Sequence, residues 1–306
     1  MASPAVLCAA QTPALARRRA PTPAEWTAVG GLAVPLWALW PLLALKTQAL
    51  PPLEALAIMF FFGWIVFSML NTLAPLERTP APARALTPTL VYAAALAGGD
   101  LAFLLATHRI PTAQANLISY LWPVMIVVFG ALAGLFRLRP RQLLGLALGF
   151  AGAAILIWDG RISMSASGIA LALMSGALWA AYCIFRLLCK APTGNLLASG
   201  CLLAMLMCVP LHFVFEPTVI PSLAAGAAAA IAGMLPLAVG NYLWDQGFRR
   251  GDGALLAVMA YATPLCSALL LAASGSATLT WNLLLGALVI VSAGVLSRTG
   301  GGAPAP

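Results

Sequence analysis

Two short runs, Tyr120-Leu-Trp-Pro123 and Tyr261-Ala-Thr-Pro264, set a phenol beside a proline in the middle of long apolar stretches, 141 positions apart. Aromatic faces receive flat apolar rings. A proline has no amide hydrogen, so the carbonyl four residues earlier, Ser119 in the first run and Ala260 in the second, is expected to lose its helical partner. Such a carbonyl is a neutral acceptor for an ammonium group or a water. Mid-helix prolines also bend helices, which makes Pro123 and Pro264 candidate hinges. Trp37, Trp40, Trp64, Trp122 and Trp179, with Tyr120, Tyr182 and Tyr261, lie near the middle of their stretches. Trp26, Trp158 and Trp281 lie at the ends, where interfacial aromatics belong. An indole N–H or phenol O–H deep in hydrocarbon needs a partner or a wet cavity. Helix packing accounts for any one of them; the set points to an aromatic-lined cavity.

Ionisable residues inside the apolar stretches are few, and Asp100 and Asp245 are the acids placed well within them. An acid at that depth is a functional candidate because ionising it there is costly. Asp100 suits a proton, a cation or the amino group of a substrate. Asp245 is expected to pair with Arg249 or Arg250 near a helix end. His108 and His212 fall near predicted helix ends without partners at metal-ligand spacing, and interfacial hydrogen bonding is expected of both. The six cysteines show neither a disulfide framework nor CxxC spacing and are expected to pack as small apolar residues. No metal or other cofactor is implied.

Two intramembrane aspartates also raise the question of an aspartyl protease, whose acids share a proton to activate water. The membrane proteases of that type resemble one another in a Gly-x-Gly-Asp element. Ala97-Gly98-Gly99-Asp100 lacks its first glycine, and Asp245 follows Trp244 rather than a tyrosine. Neither a His-Glu-x-x-His zinc motif nor a Gly-x-Ser-x-Gly elbow is present. The motifs therefore argue against an enzyme.

What holds these residues is a membrane. The 306-residue chain is 62% hydrophobic and 8% charged, with mean hydropathy +0.97. A soluble domain carries about 25% charged residues, so this chain could not clothe itself in a hydrated surface. β-Barrel alternation is absent. Ten apolar stretches of helix-spanning length are predicted: 26–45, 55–75, 88–107, 112–135, 142–158, 168–189, 195–214, 223–247, 254–273 and 280–297. The spacing of the two Tyr/Pro runs extends along the chain. Gly99-Asp100 falls on Gly240-Asn241, Arg109 on Arg250 and Gly145 on Gly286 at the same offset, and Trp37 falls on Trp179 at 142. Residues 26–158 and 168–297 thus read as two copies of a five-helix unit, between tails at 1–25 and 298–306. Five crossings per copy invert the second, and inverted repeats hold substrate sites near the midplane where the copies meet.

Charge sets the expected orientation. With the N-terminus inside, 13 of the 16 Lys and Arg residues fall on the cytoplasmic side, and Lys46, Arg109 and Arg161 fall outside. The net charge of +8 is then a topology signal with both termini cytoplasmic. No basic stripe with interleaved aromatics suggests a nucleic-acid partner. The lipid bilayer is the expected partner. Small-residue runs such as Gly145-x-x-x-Gly149 pack helices closely, within one chain or in a homo-oligomer.

Two five-helix units, a tryptophan in the first helix and a proline-broken fourth helix resemble the drug/metabolite transporter superfamily of EamA type. Tyr120-Leu-Trp-Pro123, Trp179-Ala-Ala-Tyr-Cys183 and Tyr261-Ala-Thr-Pro-Leu-Cys-Ser-Ala268 resemble that superfamily's bacterial exporters of aromatic amino acids. The resemblance implies an all-α membrane protein of ten helices in two inverted repeats, working by alternating access in the bacterial inner membrane. For an aromatic amino acid, Trp37, Trp122, Trp179 and Tyr182 would form the apolar wall, with Tyr120 and Tyr261 near it. Asn71, Asn116, Asn241 and the Ser119 carbonyl would meet the zwitterion. The chain departs from the pattern at Gln114-Ala-Asn116, where an acid is expected, and at Asp100, where an apolar residue is expected. An exporter of other metabolites or cationic drugs through Asp100 is the competing expectation.

Overall fold

The structure is a computed structural model, and the described residues are 20–73, 86–110, 115, 118–135, 140–157, 165–189, 193–273 and 281–298. Every element among them is a helix. Three short helices, α1 (Pro23–Gly31), α2 (Ala33–Trp37) and α3 (Trp40–Thr47), are followed by α4 (Pro52–Leu73), α5 (Leu86–Thr107), α6 (Trp122–Leu132) and α7 (Pro140–Ile157). Next come α8 (Ala166–Leu188), α9 (Thr193–Phe215) and α10 (Leu223–Ala232). A π-helical segment, Gly233–Gly240, joins α10 to α11 (Asn241–Arg250). The chain ends in α12 (Gly253–Met259), α13 (Ala262–Ala273) and α14 (Trp281–Arg298).

Helix starts are written locally. Thr22 and Glu25 form a reciprocal capping box around Pro23, the Thr22 hydroxyl accepting from the Glu25 amide at 3.3 Å. Ser165, Ser222 and Asp252 cap α8, α10 and α12. The start of α4 is capped from a distance: the Glu216 carboxylate accepts from the Leu53 amide at 3.0 Å and the Glu54 amide at 3.3 Å. At 1.5 Å per residue the 22 residues of α4 run about 33 Å, enough to cross a bilayer. Among the described residues six helical runs are long and apolar enough to do so: Pro23–Ala44, Pro52–Leu73, Leu86–Thr107, Ala166–Leu188, Asn195–Phe215 and Leu223–Arg250. Leu132, Phe213, Ile220 and Leu223 stand largely exposed, a surface that hydrocarbon tolerates and water does not.

The prolines do not kink continuous helices. Turns at Tyr120–Leu121 and Ala260–Tyr261, which share the repeat-equivalent tyrosines, interrupt the stretches predicted as unbroken, and Pro123 and Pro264 lie in the first turns of the helices that follow. A missing amide hydrogen is harmless there. Nor is the Ala260 carbonyl free, because it accepts from the Thr263 amide at 3.0 Å. The Ser119 carbonyl lies hard against α8, 2.7 Å from where a side chain on Gly176 would begin.

Packing follows the repeat offset. Helix α4 runs along α9, α5 along α8, α7 along α14 and α1 along α11, while α6 rests on α8 and α13 on α2. Phe60 and Cys201, 141 positions apart, touch through a bond from the Cys201 thiol to the Phe60 carbonyl at 3.2 Å. Tyr92 packs on Gly200, and the positions 141 away from those two, Gly233 and Met59, pack on each other as well. Asn71 donates to Asn195 at 2.5 Å. The corresponding positions, His212 and Glu54, approach to 3.8 Å.

A methyl group on Gly233 would collide with the Met59 carbonyl, backbone that cannot swing aside, whereas one on Gly226 meets nothing nearer than Pro221 Cβ at 3.5 Å. Gly233→Ala should therefore destabilise the protein by about 1–3 kcal/mol, the usual cost of overpacking. Gly226→Ala should leave the thermal midpoint in detergent unchanged or raise it. Equal midpoints for the two variants would mean that α4 and the π segment are not in close contact.

Candidate substrate cavity

Helix breaks put the aromatic residues where they meet. Trp37 ends α2 just before the chain turns at Ala38–Leu39, Trp122 opens α6, and Trp179 and Trp244 project from the interiors of α8 and α11. Trp37 is the hub. Its ring centroid is 6.0 Å from that of Trp122, 6.1 Å from Trp179 and 5.0 Å from Trp244, with the first two edge-on. Trp122 and Trp244 are 5.3 Å apart. Edge-to-face contacts of this kind suit the ring quadrupoles. The Trp37 indole N–H donates to the Pro236 carbonyl and the Asn241 side-chain oxygen, both at 3.1 Å. Pro236 lies within the π-helical segment, a backbone form that often marks functional sites.

Beside this cluster is a cavity of about 190 Å³. Seven of the residues expected from the sequence to bind substrate line it: Trp37, Asp100, Ser119, Tyr120, Trp122, Trp179 and Asn241. Trp40, Phe103 and Ser175 join them. Among the described lining residues Asp100 is the one charged side chain. Ser119, just before α6, faces Ser175 of α8, their hydroxyls 3.5 Å apart. The volume lies below the roughly 300–1,000 Å³ usual for drug-sized ligands. The chamber therefore suits one small molecule with a flat ring and a few polar atoms.

Other expected members lie elsewhere. Tyr182 sits behind Trp179, ring centroids 5.4 Å apart, with its hydroxyl donating to Asp245 at 3.4 Å. Tyr261 is fully buried with its ring against Gly149 of α7, away from the chamber. Asn71 is engaged with Asn195. Asn116 lies outside the described residues.

Beneath the indoles is a buried ion pair. Arg186 donates from Nε to one oxygen of Asp245 at 2.7 Å and from Nη2 to the other at 2.9 Å. The Thr193 hydroxyl donates to Asp245 at 2.6 Å and accepts from Arg249 at 2.9 Å. Both ions are shut off from solvent, Arg186 being 1% exposed and Asp245 2%. The partner expected from sequence was thus wrong. Asp245 binds an arginine of another helix, Arg249 is linked to it through Thr193, and Arg250 lies over the Trp26 ring at 4.5 Å.

A sequence model of the EamA-like transporter family matches residues 26–158 and again residues 166–299. The chain belongs to the EamA-like transporter family. One relative, the aromatic amino acid exporter YddG of Ancylobacter novellus, is 31% identical over 274 residues, 87% of this chain and 94% of its own. A solved crystal structure covers 90% of this chain and 97% of its own with a TM-score of 0.81 at 29% identity. This EamA-like protein is therefore a membrane transporter of the drug/metabolite superfamily, built from two copies of the family domain. Sequence reasoning missed three features of its site. Trp244 carried a signal, since it stands one turn from Asn241 and beside Asp245. Phe103 is likewise one turn from Asp100. The Arg186–Asp245 pairing had no local signal at all.

Removing one member of a buried pair strands the other. Asp245→Asn and Arg186→Met should each destabilise the transporter by about 3–5 kcal/mol. The double variant should recover part of that loss, and thermal unfolding of all three in detergent measures it. Additive losses would show that the pair does not act as a unit.

Proposed function

We propose that this transporter exports aromatic amino acids from the bacterial cytoplasm by alternating access. In this reading it crosses the inner membrane ten times as two inverted five-helix repeats, with both termini cytoplasmic. The observation that carries the reading is the chamber itself. Four indoles wall a volume of single-amino-acid size, and neutral oxygens and an amide at its edge suit a zwitterion. The name of the Ancylobacter novellus relative supports the same substrate class.

The inverted arrangement is supported by contacts that recur at the repeat offset. Under a two-fold operation, a residue can touch its own counterpart only near the axis. Phe60 with Cys201 and Trp37 with Trp179 are two such pairs. In this reading the axis runs beside the chamber, where an inverted-repeat carrier keeps its substrate, and the second pair supports that position. Pro123 and Pro264, following equivalent turns, are the pivots in this reading.

Purified protein in proteoliposomes, without a pH gradient, should take up labelled phenylalanine and tryptophan well ahead of threonine. Trp122→Ala and Trp179→Ala should each cut phenylalanine uptake about tenfold, as losing roughly 1.4 kcal/mol of ring contact would. Normal transport by both variants would rule out the wall. Pro264→Ala should slow exchange more than it weakens binding, and equal loss of the two would count against a pivot.

A further inference from the structure

The two halves set the same kind of pair at the chamber and complete only one of them. Trp37 and Asn241 make the closed pair, indole N–H to amide oxygen at 3.1 Å. Their repeat counterparts are Trp179 and Asp100, which line the same chamber. Here the acceptor is a carboxylate, and among the described residues it makes no hydrogen bond or ion pair with Trp179 or with any other side chain. The buried guanidinium of Arg186 is committed to Asp245. Ser119, Ser175 and Asn241 offer neutral dipoles, and no basic side chain is among the described lining residues. An intramembrane carboxylate kept without a partner is costly to ionise, and a proton or a cation from outside the chain relieves that cost.

We propose that Asp100 is the ammonium site of this chamber, and that the substrate class is aromatic amines at large. Arylalkyl ammonium ions such as 2-phenylethylamine are then carried alongside aromatic amino acids, and the carboxylate of the amino acid is dispensable. This rests on reading the chamber as the aromatic substrate site. A primary ammonium brings Asp100 its missing counter-charge and three N–H donors, and the indole faces beside it attract cations. A carboxylate finds no guanidinium or ammonium among the described lining residues and is repelled by an ionised Asp100. The expected order is therefore amine at least equal to amino acid, and both ahead of an arylalkanoate that keeps the ring and the acid but lacks the amine.

The test uses the full chain in proteoliposomes, with leak into protein-free vesicles subtracted. Uptake of labelled 2-phenylethylamine and of labelled phenylalanine is measured, each in competition with unlabelled 2-phenylethylamine and with 3-phenylpropionate. Both labelled compounds should enter, and the amine should compete at about tenfold lower concentration than the acid, a difference worth one charge-assisted contact. Asp100→Asn should reduce amine uptake about tenfold while phenylalanine uptake falls less, because Ser119, Ser175 and Asn241 still bind the zwitterion. If that variant does not fold, competition on the wild type still decides. Amine entry without phenylalanine entry would keep the ammonium site and overturn the amino-acid reading. Phenylalanine entry with 3-phenylpropionate competing as well as the amine would keep the amino-acid reading and overturn this proposal. Unchanged amine uptake by folded Asp100→Asn would also overturn it, and entry of neither compound would overturn both.

Discussion

Hydrocarbon offers nothing to a hydrogen-bonding group, so each polar atom in the membrane depth must be answered by another part of the chain. Much of this structure is arranged by that constraint. The indole of Trp37 reaches two acceptors, one of them a backbone oxygen of the π-helical segment. Asp245 receives Arg186, Thr193 and Tyr182 at once. The orphan amides at the start of α4 find the carboxylate of Glu216, more than 160 residues away. Each of these bonds joins elements remote in sequence, so answering polar atoms also fixes how the helices sit against one another. At the chamber, Asp100 is left without such an answer among the described residues.

Close helix approach is the second requirement, since lipid gives little hydrophobic drive for helices to associate. Glycine supplies it where α4 meets the π segment and where Tyr92 packs on α9. Gly30 and Gly247 let α1 and α11 touch backbone to backbone. These contacts bring the end of α2 and the start of α11 together, which is why Trp37 can reach Asn241.

The duplication and the apolar lengths were legible in the sequence because both are written in residue spacing alone. So was much of the chamber. An indole, an aspartate or an asparagine in mid-span is anomalous, and Trp37, Asp100, Trp122, Trp179 and Asn241 were found by that anomaly. Depth is not direction, however. Asn71 and Tyr261 have the right depth but lie on other faces, one bonded to Asn195 and the other packed on Gly149. Proline was read as a kink because its chemistry is local, whereas the turns before Pro123 and Pro264 reset where each helix begins. The partner of Asp245 was out of reach for a related reason. Arg249 is one turn away along the chain, but Arg186, 59 positions away, is the one that packing delivers.

Helices α4 and α9 are fastened at both ends by positions that correspond across the repeat, yet the fastenings differ in substance. Asn71 and Asn195 close one end with two amides. His212 closes the other, 3.0 Å from Glu216 and 3.8 Å from Glu54, while Glu54 also accepts from the Val219 amide at 3.0 Å. Amides are neutral donors and acceptors, whereas the other end gathers an imidazole and two carboxylates. Two fastenings that share a plan have thus diverged in substance, one uniform in its amides and the other mixing acids with a base.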